Sequence, residues 1–247
     1  NRTVLYDIRG LKPAPLVPRH QIVELDERMA FDGSILRPLR DADVRGAVAR
    51  MRDSANGGDP GAAVICFLHS YSNPGHEQAA ARIAEELLPG WYVCTSSEVL
   101  PEFREYERFT TAVLNAYIGP KVGGYLTSLS ASLASRGYAG RVFITTSSGG
   151  IMTSEVAVRL PVQTVLSGPA GGVAAALDLG RVSGFHNLIT YDMGGTSTDV
   201  CLIEQLEPTI TTEQQIAGLP NRTPQIEINS IGAGGGSLAW IDAGGAL

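Results

Sequence analysis

The chain has 247 residues, 44% of them hydrophobic, and sets 19 basic against 25 acidic side chains for a formal net charge of −6. That length holds one large or two modest domains with a substantial core. The acidic balance, with no basic stripe carrying interleaved aromatics, argues against a nucleic-acid partner. Apolar runs fall short of the roughly 18 residues a membrane span needs, and no charged segment followed by an apolar one opens the chain, so a cytoplasmic location without membrane attachment is expected. Cys66, Cys94 and Cys201 are odd in number, widely spaced and set in strand-like runs. They read as buried reduced thiols rather than disulfides or a metal site.

In chain order, Pro13, Pro15 and Pro18 exclude a regular element at the start, and a strand is expected over Gln21 to Leu25. Asp32-Gly33 signals a hairpin turn. Asp41 can cap a helix with Val44, Ala47, Val48 and Met51 on one face, ending near Asn56-Gly57-Gly58. Ala62 to Leu68 is a continuous apolar run and reads as a buried parallel strand. Asn73 and Pro74 suit the N-cap and first position of a helix to about Leu88, and Tyr92 to Thr95 begins the next strand. Strand, helix, strand is the pattern of an α/β layer. Glu98, Glu102, Arg104 and Glu105 read as a solvated helix start, with a carboxylate pair as the alternative. Tyr106 to Ser135 reads as helical with a break or kink at Gly119-Pro120. Arg141 to Thr146 is a strand, Ser147-Ser148-Gly149-Gly150 a turn, and Gln163 to Leu166 a short strand. Trp91 and Trp240 read as packing residues.

Three glycine clusters follow apolar strand-like runs. Ser167-Gly168-Pro169-Ala170-Gly171-Gly172 precedes a small-residue helix over Val173 to Leu179. It either offers backbone donors to an anion at a helix N-terminus or lets a helix approach a sheet closely. Asp192-Met-Gly-Gly-Thr-Ser-Thr-Asp199 lies between the runs Asn187 to Tyr191 and Val200 to Ile203 and reads as a sharp strand-to-strand turn. Gly194 and Gly195 permit positive φ and close backbone approach to a phosphate. Thr196, Ser197 and Thr198 offer hydroxyl donors, and Asp192 and Asp199 offer hard oxygen ligands to Mg²⁺. The alternative is an ordinary tight hairpin. Gly232-Ala233-Gly234-Gly235-Gly236-Ser237 follows the strand-like Gln225 to Ile231, ahead of the apolar Leu238 to Ile241. None of the three is a Walker A or dinucleotide fingerprint. Convergence of the three at one sheet edge would make a ligand site. His69, at the end of the buried strand, and His76, in the first turn of the next helix, are candidates for substrate binding or acid–base work. A metal site with the adjacent Glu77, or a turn held by hydrogen bonds, would use the same residues.

Tyr191 to Val200 resembles the second phosphate motif of the actin, sugar-kinase and heat-shock-chaperone ATPase superfamily. Four further motifs narrow the match: Leu166 to Val173, Ser230 to Ser237, Leu68-His-Ser-Tyr-Ser-Asn-Pro-Gly-His-Glu77, and Ser97 to Tyr106. Together they resemble the hydantoinase A and 5-oxoprolinase family over nearly the whole chain. The resemblance implies an α/β, ribonuclease H-like (actin-like ATPase) fold, its first domain incomplete at the N-terminus and its second incomplete at the C-terminus. Residues 1–105 would be the C-terminal part of the family's N-terminal region and 106–247 the start of its hydantoinase A domain, with the second ribonuclease H-like unit beginning near residue 184.

The resemblance also implies ATP and Mg²⁺ as cofactors and hydrolysis of a cyclic amide such as a hydantoin or 5-oxoproline by phosphoryl activation of a carbonyl oxygen. Asp192 and Asp199 would manage Mg²⁺. Gly194, Gly195, Thr196, Ser197 and Thr198, with Gly168, Gly171, Gly172, Gly234, Gly235 and Gly236, would surround the phosphates. Alternatives are the ATP-using subunit of an acetone- or acetophenone-type carboxylase, acting on a ketone, or an ATPase chaperone or reactivating module. A B-type hydantoinase subunit is the expected partner, and self-association is open. The chain departs from the family pattern where it starts, downstream of an expected first phosphate motif, and where it stops. As an isolated piece it is expected to have negligible ATPase activity. It also carries Asn229 where His is frequent, and Asn cannot take up a proton near neutral pH.

Overall fold

The computed structural model describes residues 15–54, 60–241 and 244. The chain divides into two compact units, one of residues 1–125 with 213–222 and one of 126–212 with 223–247.

The first unit opens on a 3-10 turn, Arg19–Gln21, and an extended but unpaired stretch, so the strand expected over Gln21 to Leu25 does not form. Sequence pattern alone supplies no hydrogen-bonding neighbour, and among the described residues no strand pairs with this stretch. Pro13 and the Asn56-Gly57-Gly58 helix end lie outside the described residues. Strands β1 (Arg28–Met29) and β2 (Ile35–Arg37) form the hairpin signalled by Asp32-Gly33, with Gly33 at φ +83. Helix α1 (Asp41–Ser54) buries Val44, Ala47 and Val48 as its periodicity predicts. Strand β3 (Ala62–Ile65) is shorter than its apolar run. It is joined through α2 (Gly75–Leu87) to β4 (Tyr92–Thr95), with which it pairs in parallel. Asn73 serves the start of α2 from one position earlier than expected, its Oδ1 accepting from Gly75 N at 3.0 Å while its Nδ2 donates to Gly33 O at 2.8 Å. Ala63, Ala80, Ile83, Ala84 and Leu88 close this core, with Trp91 packed on it as expected.

After the short α3 (Ser96–Val99), helix α4 runs unbroken from Glu105 to Ser135. Of the break or kink expected at Gly119-Pro120, the break is therefore absent. A single internal proline removes one backbone bond, and buried Ala112, Leu114, Ala116 and Leu126 hold the helix on either side of it. Gly119 has a packing reason instead, since a Cβ there would lie 2.7 Å from the ring of Tyr92, whose hydroxyl accepts from Asn115 Nδ2 at 2.9 Å. Gly119→Ala should gain about 1 kcal/mol of helix propensity but lose about 1–3 kcal/mol to overpacking against an anchored ring. The melting temperature should therefore fall. An unchanged or raised value would mean the ring yields freely.

In the second unit, β5 (Phe143–Thr145) and β6 (Ile151–Thr153) form a hairpin around the Ser147 to Gly150 turn, followed by α5 (Ser154–Arg159). The strand expected over Gln163 to Leu166 is instead a 3-10 helix, Pro161–Thr164, started by a proline suited to a first helical position. Leu166 then takes a left-handed conformation, and α6 runs Ser167–Ser183. Ser167 to Gly172 is thus the first part of a helix rather than a turn before one. Pro169 is tolerated within the first turn, and Ala170 and Val173 are buried against Cys201 and Ile203. Strands β7 (Leu188–Met193) and β8 (Thr198–Glu204) pair antiparallel as the sequence suggests, with β9 (Glu207–Pro208) on β8.

Strand β10 (Ile210–Thr211) follows, and the hairpin β11 (Gln214–Ile216) and β12 (Leu219–Asn221) belongs to the first unit. The run Gln225 to Ile231 is split: β13 (Gln225–Ile226) pairs with β10, and β14 (Asn229–Ile231) pairs with β8. The main sheet has the order β14-β8-β7, and one of its faces packs on α6. Leu238 to Ile241 forms no strand, and Trp240 is exposed, contrary to its expected packing role.

Among the described residues, no helix is long and apolar enough to cross a membrane. All three cysteines are free. Burial pushes the Cys94 thiol up to about 12, and burial, then the nearby Glu77 carboxylate, raises Cys66 well above the ordinary range. The sign follows from proton linkage. Below the unfolded thiol value, about 8.5, both states hold the proton. As pH rises toward the folded value only the unfolded chain releases it, so stability is lost. The melting temperature should decline from pH 8.5 to 10, and less steeply in Cys94→Ala. An equal slope in both would contradict the assignment.

Candidate functional site

The Asp192 to Asp199 segment closes the β7–β8 hairpin, and the register sets Asp192 directly opposite Asp199 and Asp199 opposite Ser230 on β14. Ser230 Oγ donates a short hydrogen bond to Asp199 Oδ1. Like charges facing each other across a ladder repel by about a few tenths of a kcal/mol or more. Among the described residues no basic side chain pairs with either aspartate. Asp192 and Asp199 also line a cavity of about 390 Å³ between α6 and the sheet, with Pro169 and Gly172 on the helix side and Tyr191, Cys201 and Ile228 on the sheet side.

The turn is tight: Gly194 N donates to Ser197 O at 2.9 Å. Neither Gly194 nor Gly195 has positive φ, so the turn does not use the left-handed freedom expected of them. Their backbone is approached by the third glycine cluster instead. Gly235 N donates to Gly194 O at 2.9 Å, Gly236 N to Gly195 O at 3.0 Å, and Thr198 Oγ1 to Ala233 O at 2.6 Å. Gly234 is buried, and a Cβ on it would lie 2.7 Å from Gly194 O and 2.8 Å from the nitrogens of Thr196 and Ser197. Only glycine permits that contact. By contrast nothing stands within 4 Å of a Cβ on Gly195, Gly168 or Gly172.

These contacts sort the residues expected to surround phosphate. The Thr198 hydroxyl is buried and engaged, and the N–H groups of Gly234, Gly235 and Gly236 are occupied by Ser237 Oγ and the two turn carbonyls. In this structure they brace the turn. Among the described residues no protein acceptor takes the N–H groups of Gly195, Thr196 or Ser197. Gly168, Gly171 and Gly172 lie in the first two turns of α6, and Gly172 borders the same cavity as the aspartates. The three clusters thus converge within the second unit.

The histidines belong to the first unit. His69 lies four residues past the end of β3, in a turn at φ +59, with Nδ1 3.4 Å from Tyr71 Oη. His76 is buried at the start of α2, its Nδ1 2.7 Å from Glu27 Oε2 and its Nε2 accepting from Leu39 N at 3.4 Å. Both nitrogens of His76 are therefore engaged by protein. The metal site considered for His69, His76 and Glu77 does not form, because Glu77 turns toward Ser96 and the backbone of Phe67 and Ser97. Among the described residues no three His, Cys, Asp or Glu side chains are arranged to hold a metal ion. A Mg²⁺ site completed by phosphate oxygens and water needs only one or two carboxylates, which the aspartate pair supplies. Arg108, fully buried and joined to Glu77 through Ser96 Oγ, carries no local sequence signal, since the residues it meets lie far from it in the chain.

The family model described as hydantoinase/oxoprolinase matches residues 108–247, and that of the hydantoinase/oxoprolinase N-terminal region matches residues 1–88. The chain is 34% identical to the caprolactamase subunit alpha of Pseudomonas jessenii over 94% of its own length and 33% of the relative's. The crystal structure of the ATP-dependent caprolactamase from that organism superposes with a TM-score of 0.81 at 33% identity, over 96% of this chain and 34% of that one. A nucleotide-free acetone carboxylase gives a TM-score of 0.79 at 32% identity, over 95% and 33% of the two chains. The chain spans about a third of the length of these relatives. With the family model covering more than half of its residues, the chain belongs to the hydantoinase/oxoprolinase family.

Proposed function

We propose that the chain is part of an ATP-dependent hydrolase of cyclic amides, and that the β7–β8 turn is its phosphate and Mg²⁺ site. The observation that carries the reading is the facing Asp192 and Asp199 pair, lacking a basic partner among the described residues and set beside a turn with unengaged N–H groups. When bound, Mg·ATP would supply the phosphoryl group that turns a resonance-stabilised lactam carbonyl into a competent electrophile. Asp192 and Asp199 would hold the cation. The N–H groups of Gly195, Thr196 and Ser197 and the hydroxyls of Thr196 and Ser197 would hold phosphate oxygens. Gly234 to Gly236 would keep the turn rigid, so that donors are in place before the ligand arrives. Under this reading β7, β8 and β14 open a second ribonuclease H-like unit near residue 184, and residues 1–105 close the family's N-terminal region. A small cyclic amide and a B-type subunit are the proposed partners.

The test is release of inorganic phosphate by the complete protein, with its companion subunit, given Mg²⁺, ATP and one of caprolactam, 5-oxoproline or hydantoin. Phosphate release that depends on a lactam, with ring-opened product in equal amount, is expected. Release that responds to acetone or acetophenone with bicarbonate but to no lactam would replace this reading with the carboxylase one.

A further inference from the structure

Phe67 has both backbone polar groups held by buried charged side chains rather than by a sheet ladder. Its N–H donates to Glu77 Oε1 at 2.7 Å, and its carbonyl accepts from Arg108 Nη2 at 2.8 Å. Glu77 and Arg108 are both fully buried. Ser96 Oγ joins them, donating to Glu77 Oε1 at 2.6 Å and accepting from Arg108 Nε at 3.1 Å. The remaining Glu77 oxygen accepts from Ser97 N at 2.8 Å, and Arg108 Nη1 donates to Glu102 O at 2.9 Å. Two residues on, His69 sits at φ +59, in the left-handed region that is disfavoured for residues bearing a Cβ, though less so for His than for most. A second route reaches the same histidine. The Arg108 guanidinium lies 5.4 Å from the centre of the Tyr71 ring, and Tyr71 Oη is 3.4 Å from His69 Nδ1.

We infer that Glu77 and Arg108, bridged by Ser96, are positioning residues that hold His69 in its left-handed conformation and direct its Nε2 to a ligand. A buried ionic network is a weak means of gaining stability, because desolvation offsets much of the attraction. Nδ1 faces Tyr71, and among the described residues Nε2 has no protein partner, so Nε2 is the atom left to meet a polar group of a small molecule. The ligand class, a cyclic amide, rests on the reading under Proposed function, whereas the clamp itself does not.

The test uses the complete protein with Ser96→Ala and Glu77→Gln, followed by histidine-selective ¹³C and ¹⁵N NMR and by lactam-dependent phosphate release. Both changes should move the His69 Cα and Cβ resonances out of the left-handed range, Glu77→Gln further. Ser96→Ala should keep the wild-type circular dichroism spectrum and lower kcat about tenfold or more with a smaller change in KM. If Glu77→Gln does not fold, Ser96→Ala decides the matter alone. Unmoved His69 resonances in a folded Ser96→Ala protein would overturn the clamp. Moved resonances with unchanged turnover would overturn the role of His69. Moved resonances in a protein whose wild type turns over no lactam would leave the clamp standing and remove the cyclic-amide reading.

Discussion

Asp192→Asn and Asp199→Asn, made in the complete protein, should each lower ATP-dependent turnover by about a hundredfold or more while leaving the fold intact. The two carboxylates face each other in register, and one accepts from Ser230. Asparagine keeps the shape and the capacity to accept that bond, and it removes half of a like-charge contact. Without Mg²⁺ the melting temperature should therefore stay level or rise slightly. With Mg·ATP the wild type should gain more thermal stability than either variant, because stabilisation by a ligand rises with the logarithm of its affinity. Near-normal turnover in both variants would reduce the segment to an ordinary hairpin turn.

Gly234→Ala should be nearly as damaging by a different route. The added methyl meets backbone atoms, the Gly194 carbonyl and the Thr196 and Ser197 nitrogens, at 2.7–2.8 Å, and backbone cannot rotate aside as a side chain tip can. The two loops must separate, breaking the bonds from Gly235 to Gly194 and from Gly236 to Gly195. A stability loss of about 1–3 kcal/mol is expected, with nucleotide affinity reduced about tenfold or more as the donors lose their fixed geometry. Gly172→Ala is the control, since its methyl meets nothing within 4 Å and helix propensity favours it. Equal melting temperatures for the two variants would mean that the loops do not brace one another.

Local pattern carried much of this fold. The apolar run at Ala62 and the glycine-marked turn between two apolar stretches announced β3 and the β7–β8 hairpin, because strand periodicity and turn chemistry agreed there. Where tertiary context decides, pattern misled. Gln163 to Leu166 carries strand-like residues but follows a proline that starts a helical turn. Gly168, Gly171 and Gly172 are poor helix formers, yet α6 persists because Ala170 and Val173 bury on the sheet. The candidate site was legible as composition, two aspartates amid glycines and hydroxyls. Its construction was not. That Gly234 touches the turn, that the Thr198 hydroxyl is engaged, and that Glu77 and Arg108 grip Phe67 all depend on contacts between distant residues.

The most direct measurement is calorimetric binding of Mg·ATP to the complete protein and to its Gly195→Val variant. Gly195 is exposed, has no positive φ, and among the described residues nothing stands within 4 Å of the point where a side chain would begin. A loss of affinity at unchanged stability of the free protein then reports obstruction of what binds against the turn. The account predicts a Kd raised about tenfold or more at an unchanged melting temperature of the free protein. An unchanged Kd would contradict the claim that this turn holds the phosphates.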